Sequence, residues 1–271
     1  MKVYISVDME GVAGVASWPQ VEPQDPAYQL AREWMIQEAN AAIEGALEAG
    51  ATEILVNDAH DGMRNLPLDR IRPPARVVTG SLKPLGMMAG IDGTFDAAFF
   101  VGYHARGGHY GVLAHTWSSS VTSVRLNGQE VGEWGLNAMI AGHFGVPVVL
   151  VTGDDQLARE IREGLPGAEM VVVKQALSRY AAVSLPREEA TAAIRAAAAR
   201  ALRQARSVAP FRPAAPIRLE VEFGTPERAD EAAAMPKAER TSARGVAFTA
   251  DDGLEAWRAF YTFMALAAYV G

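Results

Sequence analysis

Lys2-Val3-Tyr4-Ile5-Ser6-Val7-Asp8-Met9-Glu10-Gly11 opens the chain as an apolar, β-branched run that stops on two carboxylates. The same design returns three times. Ile54-Leu55-Val56 runs into Asn57-Asp58-Ala59-His60, Ala97-Ala98-Phe99-Phe100-Val101 into Gly102-Tyr103-His104, and residues 146–152 into Gly153-Asp154-Asp155. Short continuous apolar runs are what strands buried on both faces of a parallel sheet require. Between the first two runs Leu30, Trp34, Met35, Ala39, Ala42, Ile43, Ala46 and Leu47 recur at helical spacing. A helix is expected over 26–49, capped by Asp25, started by Pro26 and stopped by Gly50. The fold class is therefore α/β: a mostly parallel central sheet flanked by helices.

Further along, Asn127-Gly128 marks a hairpin after an alternating stretch at 120–126, and Gly132-Glu133-Trp134 opens a helix to about His143. A strand is expected at 170–173 and an Ala-rich helix at 187–206. Three prolines within 209–216 suggest a boundary. The expected organisation is an α/β catalytic core at 1–208 and a small C-terminal α+β subdomain at 209–271, or a continuation of the core. That last segment reads as strands at 217–223 and 245–249 and a closing helix at 251–269.

Composition removes whole classes of function. The 271 residues hold 25 basic and 32 acidic side chains, five histidines and no cysteine. Without thiols there is no disulfide framework, zinc finger or iron–sulfur cluster, so a metal site must use His, Asp and Glu. A net charge of −7 argues against nucleic acid, which is bound by neutralising phosphates. The four lysines (Lys2, Lys83, Lys174, Lys237) make no polybasic membrane patch, and the longest apolar stretch, 259–270, is short of the roughly 20 residues of a membrane span. The first strand begins at once, without the features of a secretory signal, so a cytoplasmic enzyme is expected.

Ligands of open α/β sheets sit beyond the carboxyl ends of the strands. That places Asp8 and Glu10, then His60, then His104 in one crevice, with Glu133 added from the helix that follows the hairpin. Each has a plain structural explanation when taken singly. Asp8 suits a turn, Glu10 suits solvent, His104 suits a carbonyl partner, and Glu133 suits the positive end of a helix. Asp58 and Asp61 beside His60 are either partners that orient its imidazole or turn formers. The repetition after successive strands is what favours a carboxylate–imidazole metal site. His143, at a helix end, and His109, in a glycine-rich loop, read as structural and exposed respectively. No H-E-x-x-H, G-x-S-x-G or Walker A sequence is present.

Asp8-Met9-Glu10-Gly11, Val56-Asn57-Asp58-Ala59-His60, Gly102-Tyr103-His104-Ala105-Arg106 and Val131-Gly132-Glu133-Trp134-Gly135-Leu136-Asn137 resemble, in order, the motifs of the zinc-dependent D-aminopeptidase family (peptidase family M55). The resemblance continues through Val151-Thr152-Gly153-Asp154-Asp155 and the stretch 173–179. It implies metal ligands at Asp8, Glu10, His60, His104 and Glu133, two zinc ions per subunit with Asp8 bridging, and a catalytic histidine at His115. It also implies a ring-like homo-oligomer, a decamer in the family pattern. The loop Gly107-Gly108-His109-Tyr110-Gly111 is richer in glycine than that pattern.

The activity so implied is hydrolysis of short peptides with an N-terminal D-amino acid, of the D-Ala-D-Ala type, by metal-activated water. His115, titrating near neutrality, would pass a proton to the leaving amine or act as nucleophile. The alternative is a metal-dependent hydrolase of another amide or a phosphoester on the same site. A phosphoester calls for a cationic clamp, and only Arg106 and Arg64 are near the ligands in sequence. A non-catalytic metal-binding protein is the third reading.

Overall fold

The computed structural model describes residues 1–270. Its strands are β1 (Lys2–Val7), β2 (Glu53–Asp58), β3 (Arg76–Val78), β4 (Ala97–Val101), β5 (Val121–Leu126) and β6 (Gln129–Glu130), followed by β7 (Val148–Asp154), β8 (Glu169–Ser178), β9 (Ala181–Ser184), β10 (Ile217–Phe223), β11 (Glu239–Arg240) and β12 (Gly245–Ala250). The helices are α1 (Tyr28–Glu48), α2 (Glu133–His143), α3 (Asp155–Gly164), α4 (Arg187–Arg203), α5 (Pro226–Ala232) and α6 (Gly253–Ala267).

Seven strands form the central sheet in the order β3-β2-β1-β4-β7-β8-β9. All neighbours are parallel except the β8–β9 hairpin. The expected α/β class and mostly parallel sheet are what the chain adopts. From β1 the chain builds outward to β2 and β3 on one side, then returns to β4, β7 and β8 on the other. The switch between β1 and β4 leaves a crevice at their carboxyl ends. Along β1, Tyr4 faces one hydrophobic cluster while Val3, Ile5 and Val7 face the other, as strand alternation dictates. Helices α1 and α4 close the second face, and their long mutual contact includes Gly45, where a Cβ would lie 2.2 Å from the Arg195 carbonyl.

The first face is covered by α2, α3, α6 and a second, antiparallel sheet in the order β11-β12-β10-β5-β6. This sheet joins the two sides of the boundary expected at 208/209, because β10 pairs with β5 from Leu219–Leu126 to Glu222–Ser123. Trp257 and Phe260 of α6 are buried in the same cluster as Tyr4 and Phe100 of the central sheet.

Side-chain caps start two of the six helices among the described residues. Asp154 caps α3 by accepting the Gln156 and Leu157 amides, and Asp252 does the same for α6 at Leu254 and Glu255. At α1 the sequence expectation is off by two residues. Asp25 accepts the Ala27 amide at 2.8 Å and forms a turn ahead of the helix, which starts at Tyr28. Strand β8 runs five residues past its expected end and pairs with β9, a strand that 181–184 is too short and too mixed to announce.

Candidate metal centre

Two short segments leave the sheet at the β1/β4 switch and run almost in contact. The Asp8 amide donates to Val101 O at 2.8 Å and the Gly11 amide to Gly102 O at 2.7 Å. A Cβ on Gly11 would fall 1.8 Å from the Tyr103 carbonyl oxygen, and one on Gly102, at φ +71°, would fall 2.3 Å from the Asp8 carbonyl oxygen. Glycine at these positions lets Asp8, Glu10 and His104 share one crevice floor.

The side chains converge around Asp8. His60 Nδ1 lies 3.3 Å from Asp8 Oδ1 and 3.0 Å from Glu10 Oε2. His104 Nε2 lies 3.4 Å from Asp8 Oδ2 and 3.5 Å from Glu133 Oε2. The two oxygens of Asp8 thus face two different imidazole–carboxylate pairs. His115 completes the group, stacked on His104 with centroids 4.1 Å apart and planes 8° apart. Its Nε2 is 3.7 Å from Glu133 Oε1 and 4.0 Å from Glu10 Oε1.

Each imidazole is aimed by a carbonyl on its far nitrogen: Val21 O for His60, Ala105 O for His104 and Leu113 O for His115. This is the arrangement in which a metal-binding or proton-carrying nitrogen is held toward its work. Glu133 opens α2 and accepts the Trp117 amide through Oε1, so its macrodipole role and its place in the site coexist. Asp58 does not orient His60. It accepts the Asn65 and Leu66 amides and the Asn65 side chain, bracing the 60–66 loop, while Asn65 Nδ2 holds the His60 carbonyl.

All five expected ligands are buried, and the electrostatics of the group without metal are severe. Burial and the Glu10 charge push the Asp8 carboxyl up to about 7. Burial opposes ionisation of Glu10 and Glu133 as well, but His60 holds the first and His104 the second below the usual range. Burial disfavours charge on His104 also, yet Glu133 and Asp8 raise it to about 10, and Glu10 and Asp8 raise His60 strongly. Burial and the neighbouring His104 lower His115.

Asp8 Oδ2, Glu10 Oε2 and His104 Nε2 are buried without a hydrogen-bond partner. Three orphaned ligand-type atoms aimed at one another fit divalent cations better than any protein-only network, because unpaired buried polar atoms are costly. Two triads, Asp8-Glu10-His104 and His104-His115-Glu133, each offer ligand atoms within 4.8 Å of one another. The donor set is oxygen and imidazole, suited to zinc.

The centre forms the floor of a cavity of about 730 Å³. Its walls include Trp18, Val21, Glu22 and Gln24 from the stretch ahead of α1, which carries no periodic signal in the sequence. Met87, Asp61, Met63, Trp117 and Ser118 also contribute. Asp61, Met63 and Trp117 take left-handed backbone conformations, with φ of 46°, 56° and 65°. Such conformations cost about 1–3 kcal/mol each and gather where a surface must be shaped for a ligand. Trp117 also packs edge-on against Trp257, Phe260 and Tyr261, so it is both core and cavity wall.

One strong signal lay outside the expected set. Lys174 on β8 is buried, and its ammonium donates to the carbonyls of Glu10 (2.5 Å), Val12 (3.0 Å) and Val15 (2.6 Å). A lone lysine directly after the apolar run 170–173 was the available clue. His109 meets Arg106 on the surface and His143 sits beside Asp252, both away from the centre.

A family model described as D-aminopeptidase matches residues 1–262. The chain belongs to the D-aminopeptidase family. A D-aminopeptidase from Bacillus subtilis (strain 168) is 39% identical over 268 residues, 98% of each chain. A solved structure of a zinc-dependent D-aminopeptidase from Bacillus subtilis, described as a self-compartmentalizing protease, superposes with a TM-score of 0.97 at 38% identity. That match covers 100% of this chain and 99% of the other. The family expected from the four ordered motifs is therefore the family found, and the class of enzyme is an aminopeptidase. No helix among the described residues is long and apolar enough to cross a membrane.

Proposed function

We propose that the chain is a cytoplasmic, zinc-dependent aminopeptidase that releases the N-terminal D-amino acid from short peptides such as D-Ala-D-Ala. The observation that carries this reading is the convergence of Asp8, Glu10, His60, His104 and Glu133, with Asp8 Oδ2, Glu10 Oε2 and His104 Nε2 buried without a hydrogen-bond partner. Asp8, Glu10, His60, His104 and Glu133 would together hold a pair of zinc ions. When bound, such a pair supplies a nucleophilic water at neutral pH and polarises the peptide carbonyl.

The protein's own share is positioning and proton traffic. His115 donates Nδ1–H to Leu113 O at 2.8 Å, which leaves Nε2 as the free acceptor facing the cavity. Its lowered proton affinity keeps that nitrogen neutral near pH 7, ready to take a proton and return it to the leaving amine. Trp18 meets the His115 ring edge-on at 5.5 Å and fixes its plane. Trp18, Trp117 and Met87 give the cavity apolar walls.

The phosphoester alternative is disfavoured by the cavity. Arg106 pairs with Glu130 and Glu160 away from the centre, and neither it nor Arg64 lines the wall. Assembly into a homo-oligomer, a decameric ring in the family pattern, is supported by the likeness to a relative described as self-compartmentalizing. Zinc analysis of the purified protein, release of D-Ala from D-Ala-D-Ala against L-Ala from L-Ala-L-Ala, and a solution mass test these points together. A folded protein that retains no zinc, or one cleaving only the L-peptide, would overturn the corresponding part.

A further inference from the structure

The motif at 151–155 and the stretch 173–179 carry part of the family resemblance, yet neither adds a residue to the candidate ligand set. Both act instead on the loop that bears His115. Asp154, buried at the end of β7, divides its carboxylate between two tasks. Its Oδ1 accepts the Gln156 and Leu157 amides and so caps α3. Its Oδ2 accepts the Val112 amide at 2.8 Å, 42 residues away in sequence. The cap therefore accounts for only one of the two oxygens. The next residue, Asp155, accepts the Ala176 amide at 2.7 Å and fixes the far part of β8. The turn after β8 then returns the Arg179 carbonyl to the Leu113 amide at 2.9 Å.

Two consecutive amides, those of Val112 and Leu113, are thus held from β7 and from the β8–β9 turn. Leu113 sits at φ +51°, a left-handed conformation that a bulky residue keeps only where its surroundings enforce it. The Leu113 carbonyl takes the His115 Nδ1–H at 2.8 Å, and the His115 amide donates to Ala105 O at 3.2 Å. Val112 and Leu113 are also buried in the cluster on the second face of the sheet. Apolar packing is non-directional, however, whereas a carboxylate bonded to an amide fixes which way the peptide faces.

We propose that Asp154 is a positioning residue for the reaction: through the Val112 amide it sets the backbone from which the Leu113 carbonyl orients His115, and so aims Nε2 into the cavity. The proposal rests on the reading of His115 as the proton carrier, and it adds a residue that touches neither substrate nor metal.

The test replaces Asp154 in the zinc-loaded protein. In Asp154→Ser the hydroxyl keeps an N-cap for α3 but leaves no second oxygen for Val112. Asp154→Asn is the second variant: with its carbonyl turned to α3, its amide group meets the Val112 N–H donor to donor. In each, kcat on D-Ala-D-Ala is expected to fall about 10- to 100-fold, the scale of a misplaced catalytic group, while KM and zinc content stay within about twofold. In a His115→Ala background the same substitutions are expected to change kcat by less than about twofold, because the group through which Asp154 acts is gone. An unchanged kcat, an equal fold loss in both backgrounds, or loss of zinc overturns the proposal. Full turnover by His115→Ala alone, or no turnover of any D-peptide by the unaltered protein, refutes the reading of His115 or of the enzyme instead. A crystal structure of zinc-loaded Asp154→Ser then decides on geometry alone. A His115 ring turned out of its stack on His104 supports the proposal, and a ring left in place overturns it.

Discussion

Replacing Lys174 with Met keeps most of the side-chain volume of a fully buried residue but removes its three donors. The ammonium holds the carbonyls of Glu10, Val12 and Val15, so the whole turn that delivers Glu10 to the metal centre hangs on it. A hydrogen bond from a charged donor contributes about 1.5–3 kcal/mol, giving a gross loss of roughly 5–9 kcal/mol for three. Against that stands the relief of burying an ammonium, several kcal/mol in its own right. The turn keeps a second anchor, since Glu38 accepts the Ala13 amide at 2.9 Å and is itself paired with Arg187. A net loss of about 3–5 kcal/mol is therefore expected, the range found when one member of a buried charged network is deleted. Urea denaturation of metal-stripped protein measures it as a lower midpoint at unchanged slope. The same variant should bind zinc more weakly, by about tenfold or more, through the displaced Glu10. A stability change under about 1 kcal/mol together with unaltered zinc affinity would refute the claim that Lys174 positions the turn.

Other outcomes follow from the same geometry. His115→Ala should lower kcat by about 10²–10⁴ while the zinc content of the protein stays the same, as metal analysis and steady-state kinetics will read. Glu133→Gln removes a charge from only one of the two ligand groups, so the zinc bound per chain after dialysis should fall without loss of fold, monitored by circular dichroism. Gly11→Ala forces its Cβ 1.8 Å from the Tyr103 carbonyl, and accumulation of folded protein should collapse. The metal-stripped protein should lose stability between about pH 6.5 and 8. His104 is raised to about 10 from an unfolded value near 6.5, so its contribution is complete below 6.5 and is lost as pH rises toward 10. Over the first 1.5 units this amounts to about 2 kcal/mol, with His60 acting in the same direction. Above pH 8 Lys174, lowered to about 8 by burial, works with the opposite sign, so thermal melts in the lower window are the clean measurement. A flat or rising profile there would contradict the His104 environment.

What the sequence revealed and what it hid have a common physical origin. A parallel strand buried on both faces is a continuous apolar run, and its end is visible as the first polar residue. Asp8, Glu10, His60 and His104 were legible for that reason, and the order of strands in the sheet then brings them together. Glu133 and His115 obey no such rule. They reach the centre through the β5–β6 hairpin and the loop before it; Glu133 was added from the helix that follows the hairpin, and only the family resemblance pointed to His115. The wall formed by Trp18, Val21, Glu22 and Gln24 was invisible, since an irregular segment has no periodicity and its placement depends on contacts such as Val21 O with His60. Asp25 misled for a related reason: the same side chain that caps a helix can close a turn two residues earlier.

The partnership of β5 with β10 also sets an order of events during synthesis. Every residue of the candidate centre is translated by position 133, in the first half of the chain. Yet β5 lies in its sheet between the two-residue β6 and β10, whose residues Ile217–Phe223 leave the ribosome some eighty residues after Glu133 has been added. A nascent chain thus carries all six side chains well before the hairpin that delivers Glu133 has its main partner. The position of Glu133 in the finished fold therefore depends on strands that lie at the far end of the chain.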